Sequence, residues 1–274
     1  MKSNEEEKIA LIDADSLLYY CALGNKEHPP KLEEAQKDMD NRIYNMVQLG
    51  GCKQYVLFTT NRRTTFRNKV AVTKEYKGNR KRKPLPPVFY GLQAYLKQKP
   101  TFEYKGLEAD DSVALFKTLF AEYYGKSAVI FSPDKDVLGQ VVGIHYNYGK
   151  ETLVETSEDS AYGFLMKQLI MGDSADGIPG IPGMGEKRTE KVLDKISDIN
   201  DILATVLDLY NKHFGFPEGL TKFNETFRLV YLLRNNKDLI NEGLDPITKE
   251  QFDYALYGDE DRPGVLLNLS KAIW

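Results

Sequence analysis

Four short acidic clusters recur along the chain: Asp13 after an apolar run, Glu108-Ala109-Asp110-Asp111, Asp134-Lys135-Asp136, and Asp173-Ser174-Ala175-Asp176. All-oxygen donors of this kind favour a hard cation, Mg2+ or Mn2+, over zinc. Two carboxylates about 4 Å apart repel by roughly 4 kcal/mol at an effective dielectric near 20, so a site built from them keeps its charge only beside counter-ions. A pair of ions about 4 Å apart can activate a water and stabilise the leaving oxygen of a phosphodiester. The candidate metal ligands are Asp13, Glu108, Asp110, Asp111, Asp134, Asp136, Asp173 and Asp176. Helix capping is the plain alternative for any one cluster. Four clusters at element ends, with a basic segment between them, argue for a shared site.

The basic segment runs from Arg62 to Lys83, with ten Lys/Arg against one acid, Glu75. It carries +9 in a chain of net charge −3, leaving −12 for the remainder. A basic surface beside an acidic pocket suits a polyanion cut at a metal site. The last acidic cluster runs into Gly177-Ile178-Pro179-Gly180-Ile181-Pro182-Gly183-Met184-Gly185, followed by Glu186-Lys187-Arg188-Thr189. Glycines at this spacing let the backbone turn tightly and approach a partner. The helix start that follows offers free N–H groups to a phosphate, a contact that reads backbone and not base sequence.

Elements must bring these residues together. Lys8 to Ile12, Tyr55 to Phe58, Thr101 to Tyr104 and Ala128 to Phe131 read as strands, and Gly143 to Val154 as a hairpin turning at Gly149-Lys150. Helical spacing covers Glu33 to Leu49, Val88 to Lys97 and Glu108 to Tyr124. Alternation of the two types predicts an α/β fold with a mainly parallel central sheet and flanking helices. Ligands of such a sheet bind beyond the carboxyl ends of its strands, where Asp13, Asp134 and Asp136 belong. Glu108 and Asp111, three apart at a helix start, share a face, with Asp110 pointing elsewhere. Beyond residue 158 the pattern is helical: Tyr162 to Met171, Lys187 to Leu193, Ile199 to Tyr210, Phe223 to Leu233 and Lys249 to Tyr257.

Composition, 42% hydrophobic and 28% charged over 274 residues, is that of a soluble globular chain with a full core. No stretch approaches a membrane span and the start is not signal-like. Cys21 and Cys52 have no metal-ligand spacing, which points to a reducing, cytoplasmic compartment. The three histidines, His28, His145 and His213, speak against zinc or histidine-based catalysis.

The segments LIDAD (11–15), EYKGNR (75–80), GLEADD (106–111), SPDKD (132–136) and IMGDSADGIPGIPGMGEKRT (170–189) resemble the structure-specific 5′-nuclease (flap endonuclease) family, particularly the small bacteriophage 5′→3′ exonucleases. The resemblance spans about residues 9 to 194. It implies a PIN-like nuclease core over 1–160 with a helical arch or clamp in the basic segment 62–100. Residues 161–274 are implied to be a helical DNA-binding region, with a helix–three-turn–helix element at 170–194 and K+ at the carbonyls of 177–185. Asp13, Glu108 and Asp110 are implied as ligands of a first Mg2+; Asp134, Asp136, Asp173 and Asp176 as ligands of a second, with Asp111 supporting and Mn2+ a substitute. Asp13, Asp110, Asp134, Lys77 and Arg80 are implied to be catalytic, the last two by steering the scissile phosphate. DNA contacts are implied for Arg62, Arg63, Arg67, Tyr76 (by stacking on a base), Lys77, Arg80, Lys81, Arg82, Gly180, Gly183, Gly185, Lys187 and Arg188. The expected activity is divalent-metal-dependent 5′→3′ exonuclease and flap endonuclease cleavage of DNA 5′ ends, flaps or nicks. The expected context is primer removal from RNA–DNA hybrids, replication or repair, by a monomer meeting replication proteins. The family's aspartate after the second strand aligns with Thr60, a departure that weakens the first site and that Asp15 could partly offset. The competing reading is a catalytically weakened or inactive DNA-junction binder of the same fold; an RNA-directed nuclease is a further alternative on substrate.

Overall fold

The computed structural model describes residues 8–24, 28–61, 64–80, 84–196 and 199–257. Its sheet comprises β1 (Lys8–Asp13), β2 (Cys52–Phe58), β3 (Thr101–Phe102), β4 (Ala128–Phe131), β5 (Gly143–Asn147) and β6 (Thr152–Thr156), ordered β3-β2-β1-β4-β5-β6. All neighbours are parallel except the β5–β6 hairpin. β1 lies at the centre and is buried on both faces, which is why it reads as an unbroken apolar run.

Strand alternation splits the core into two layers. Ala10, Ile12, Tyr55, Leu57 and Phe131 pack against α1 (Ala14–Leu23), α2 (Leu32–Leu49) and the helix Phe89–Leu96. Ile9, Leu11, Val56, Phe58 and Ile130 face the helix Ala109–Tyr124 and the helices of the chain's second half. In chain order the remaining helices are α3 (Phe66–Val70), α4 (Phe89–Leu96), α5 (Ala109–Tyr124), α6 (Lys135–Gln140), α7 (Glu158–Met171), α8 (Glu186–Leu193), α9 (Ile199–Phe214), α10 (Glu218–Val230), α11 (Asn236–Asn241) and α12 (Lys249–Tyr257). Residues on either side of position 160 share the second layer, since Leu165, Leu169, Val206, Leu229 and Phe252 join Phe58 and Phe116 there.

Three features differ from expectation. The helix read over Phe223 to Leu233 stops at Val230, and Tyr231 turns to extended backbone. The N–H groups of Leu232 and Leu233 then donate to the Gln140 and Asp111 side chains instead of continuing a helix. The short helices α1, α3, α6 and α11 carry no periodicity long enough to read. Within the basic segment, α3 packs against α10 and α4 against α1 and α2, while the described stretch 71–80 is loop and turn. No helix among the described residues is long and apolar enough to cross a membrane.

Candidate active site

The carboxyl ends of β1 and β4 each deliver an aspartate as a helix cap. Asp13 ends β1 and caps α1, accepting the Asp15 N–H at 3.2 Å; Asp134 follows β4 and caps α6, accepting the Asp136 N–H at 2.6 Å. Capping and site-building are thus the same act. Ser132 ties the two together: its buried hydroxyl donates to Asp13 Oδ2 and accepts the Asp134 N–H, both at 3.0 Å.

α5 supplies Glu108 at its N-cap and Asp110 in its first turn. Asp110 sits with the cluster: burial, then Asp134, Asp13 and Glu108, push its carboxyl well above the usual range. Asp13 is raised to about 7 by burial and by Asp15 and Asp134. Asp136 is raised to about 7 by burial and by Asp134, Asp173 and Asp176. These mutual effects link the sheet edge, the start of α5 and the Asp173–Asp176 turn into one acidic region.

The chain's own cations sit among the acids. Lys77 Nζ lies 2.6 Å from Glu108 and 3.7 Å from Asp176; Arg80 pairs with Asp176; Lys135 Nζ lies 2.8 Å from Asp173 and 3.9 Å from Asp136. Burial works against ionised Glu108 and Asp173, but Lys77 with Arg67, and Lys135, respectively, hold both carboxyls below their ordinary values. Lys77 has φ +57, a conformation side-chain-bearing residues seldom adopt. Its N–H donates to the Asp176 carbonyl, and Asn79 donates to the Ser174 carbonyl, so the basic loop lies across the 174–177 turn.

That turn joins β7 (Gly172–Asp173) to β8 (Ile178–Pro179), an antiparallel pair, so the reversal falls at 174–177, where the glycine-proline run begins. A Cβ on Gly180 would lie 2.1 Å from the Met171 carbonyl carbon, because the end of α7 and the strand leaving β8 pass backbone to backbone. Gly183 and Gly185 lead into α8, and Lys187 and Arg188 are exposed on its first turn. Arg188 also donates to the Gly183 carbonyl, at 2.9 Å.

Three expected roles are corrected by burial. Asp111, expected to support the metals, faces away from the cluster and is 0% exposed in a forked ion pair with Arg67. Arg67, expected on DNA, is 2% exposed and donates to the Leu229 and Tyr231 carbonyls as well. It pins α5 to the end of α10. The i,i+3 pairing of Glu108 with Asp111 is a capping box, so Asp110, and not Asp111, joins Glu108 in the site. Tyr76, expected to stack on a base, is buried, and its hydroxyl donates to Glu108 at 2.8 Å and lies 3.2 Å from Asp176 Oδ2. Arg62, Arg63, Lys81 and Arg82 lie outside the described residues. Sequence reasoning assigned no role to Ser132 or Lys135, though SPDKD contains both.

The donor set fits a hard divalent cation, since carboxylates crowded by burial and by one another are relieved by one. Among the described residues, no three acids are drawn together as a ready-made cage; Lys77, Arg80 and Lys135 provide the neutralising charge in this arrangement.

A family model described as "5'-3' exonuclease, N-terminal resolvase-like domain" matches residues 8–162. A 5'-3' exonuclease of Buchnera aphidicola subsp. Acyrthosiphon pisum is 30% identical over 227 residues, 75% of this chain and 77% of the relative. DNA polymerase I of Bacillus subtilis is 29% identical over 249 residues, 81% of this chain but only 27% of that larger protein. Among solved structures, the T5 D15 protein co-crystallised with metal ions covers 91% of this chain, and 97% of its own, at TM-score 0.66 and 19% identity. The T5 D15 flap endonuclease in a pseudo-enzyme-product complex with DNA and metal ions matches at TM-score 0.66 and 18% identity, over 91% of this chain and 96% of its own. At such identities the structures establish likeness of fold.

Proposed function

Because the chain belongs to the 5′-3′ exonuclease family, we propose that its acidic edge hydrolyses DNA phosphodiester bonds at 5′ ends, flaps or nicks with two Mg2+ ions, which Mn2+ can replace. The single observation that carries this reading is the meeting of Asp13, Glu108, Asp110, Asp134, Asp136, Asp173 and Asp176 in one electrostatically linked region beside Lys77 and Arg80. Asp13, Glu108 and Asp110 form one ligand group; Asp134, Asp136, Asp173 and Asp176 form the other. Divalent ions held there supply polarisation of the phosphate and an acidified water. Ser132 keeps Asp13 and Asp134 in register across the β1–β4 edge. Lys77 and Arg80 orient the scissile phosphate when the carboxylates they now neutralise take other partners.

Gly183, Gly185, Lys187 and Arg188 hold the duplex backbone at the start of α8, with Gly180 shaping the approach and K+ at the carbonyls of 177–185. Residues 1–160 act as the metal-dependent core with the basic arch segment 62–100, and 161–274 as the DNA-binding region with its helix–three-turn–helix element at 170–194. The working context is a monomer in the cytoplasm that removes RNA–DNA primer or processes DNA beside replication proteins.

Labelled 5′-flap, nicked and single-stranded DNA, incubated with and without Mg2+, tests this reading. Asp134→Asn and Asp173→Asn are each expected to abolish cleavage while leaving DNA binding intact. Unchanged turnover in either variant refutes the site. A wild-type chain that binds DNA but yields no product at any Mn2+ concentration supports the junction-binder reading in its place.

A further inference from the structure

The carboxyl edge of the sheet has a gap. β1 ends in Asp13, and β4 is followed by Asp134 and Asp136, but β2, between β1 and β3, is followed by Thr59 and Thr60. Thr60 turns its hydroxyl onto α5, accepting the Ala109 N–H at 2.9 Å, and so positions the helix that bears Glu108 and Asp110. Its side chain is therefore occupied in holding the site and brings no charge.

A carboxylate reaches the same place from another element. Asp15, in the first turn of α1, accepts the Thr60 backbone N–H on Oδ2 at 3.1 Å. Asp13 and Asp15 both lie where β1 runs into α1, and the Asp15 N–H donates to Asp13 Oδ1. The end of β2 thus meets an acid carried in by its parallel neighbour.

We propose that Asp15 is a metal-ligating residue of the first ion, supplying with Asp13, Glu108 and Asp110 the carboxylate that the end of β2 lacks. The proposal rests on the nuclease reading above. The Thr60 N–H holds Asp15 Oδ2 at the end of β2. A carboxylate has about four lone-pair sites, so a hydrogen bond from the Thr60 N–H does not by itself keep it from facing a cation. Thr60 and Asp15 thereby divide the work at the end of β2, the first anchoring α5 and the second bringing charge.

Mn2+ binding, measured by electron paramagnetic resonance and calorimetry on the full chain, tests the assignment. The Asp15→Asn variant is expected to weaken one bound ion about tenfold or more, since even an outer-shell partner of a ligand is worth about 10–100-fold in affinity, and to leave the other near its wild-type affinity. The double variant Asp15→Asn with Thr60→Asp is expected to recover most of that loss, since an aspartate at 60 can accept the Ala109 N–H and point to the same ion. Glu103→Gln removes an acid from the same edge, where Glu103 faces Thr59 and Lys97, and is expected to change nothing. The assignment is overturned if Asp15→Asn binds two ions as wild type does. It is also overturned if Glu103→Gln costs as much as Asp15→Asn, or if Thr60→Asp fails to rescue a protein whose melting is unaltered. Wild-type protein that binds no Mn2+ at all overturns the nuclease reading itself, a result distinguishable from each of these.

Discussion

Replacing Asp13 by Asn should stabilise the metal-free protein, although it removes a residue placed at the centre of the site. Burial, Asp15 and Asp134 carry the Asp13 carboxyl from its ordinary 3.8 to about 7. That displacement corresponds to about 4 kcal/mol against the ionised form in the folded state. The folded value lies above the unfolded one, so the folded protein binds more protons between them. Its stability is whole below pH 4, falls as pH rises toward 7, and is flat above. An asparagine keeps the geometry: its oxygen can accept the Asp15 N–H and its amide can donate to Ser132 Oγ. In chelator at pH 8, Asp13→Asn should approach 4 kcal/mol more stability than wild type, roughly 8–16 °C in Tm at about 2–4 °C per kcal/mol. The difference should shrink to nothing near pH 4. Comparing variant with wild type cancels titrations that do not interact with Asp13, such as that of buried His145, which is lowered to about 4; relief of Asp110, which Asp13 also raises, acts in the same direction. Added Mg2+ should raise the Tm of wild type at pH 8 and close the gap. Melts in chelator from pH 4 to 8, followed by circular dichroism, read all of this. A variant no more stable than wild type at pH 8, or a gap independent of pH, refutes the reasoning that Asp13 is held in repulsion awaiting a cation.

Two further outcomes follow from packing. Arg67→Ala should cost about 3–5 kcal/mol, because it strands the fully buried Asp111 without its partner; urea unfolding reads the loss, and a change under about 1 kcal/mol contradicts the pinning of α5 to the end of α10 by Arg67. Gly180→Ala should lower Tm sharply or prevent folding, since its Cβ would collide with Met171 backbone, whereas Gly163→Ala, where nothing lies within 4 Å, should gain about 0.5–1 kcal/mol of helix stability; equal effects of the two contradict the backbone-to-backbone approach.

Much of this protein was legible in local residue order because the relevant physics is local. Ile9–Ile12 could be read as buried strand since a run without polar residues has no solvent face to offer, and Ala128–Phe131 likewise. Aspartates directly after such strands belong at the carboxyl edge of a parallel sheet by geometry alone, and Asp13 and Asp134 are there. The acid clusters, the glycine run and the basic segment were therefore visible as chemistry before any fold was known.

What only the tertiary structure decided is which neighbours each charge meets. Asp110 and Asp111 are adjacent in the chain, yet about 100° apart around α5; one turns to the acids and the other to Arg67. Arg67 and Arg80 belong to the same basic segment, but one is sealed beneath the carbonyls of Leu229 and Tyr231 while the other reaches Asp176. Asp15 and Thr60 come together only because β1 and β2 lie side by side. Residue order determines charge, periodicity and where turns fall; desolvation and Coulomb energy depend on distances across the chain, and folding alone sets those.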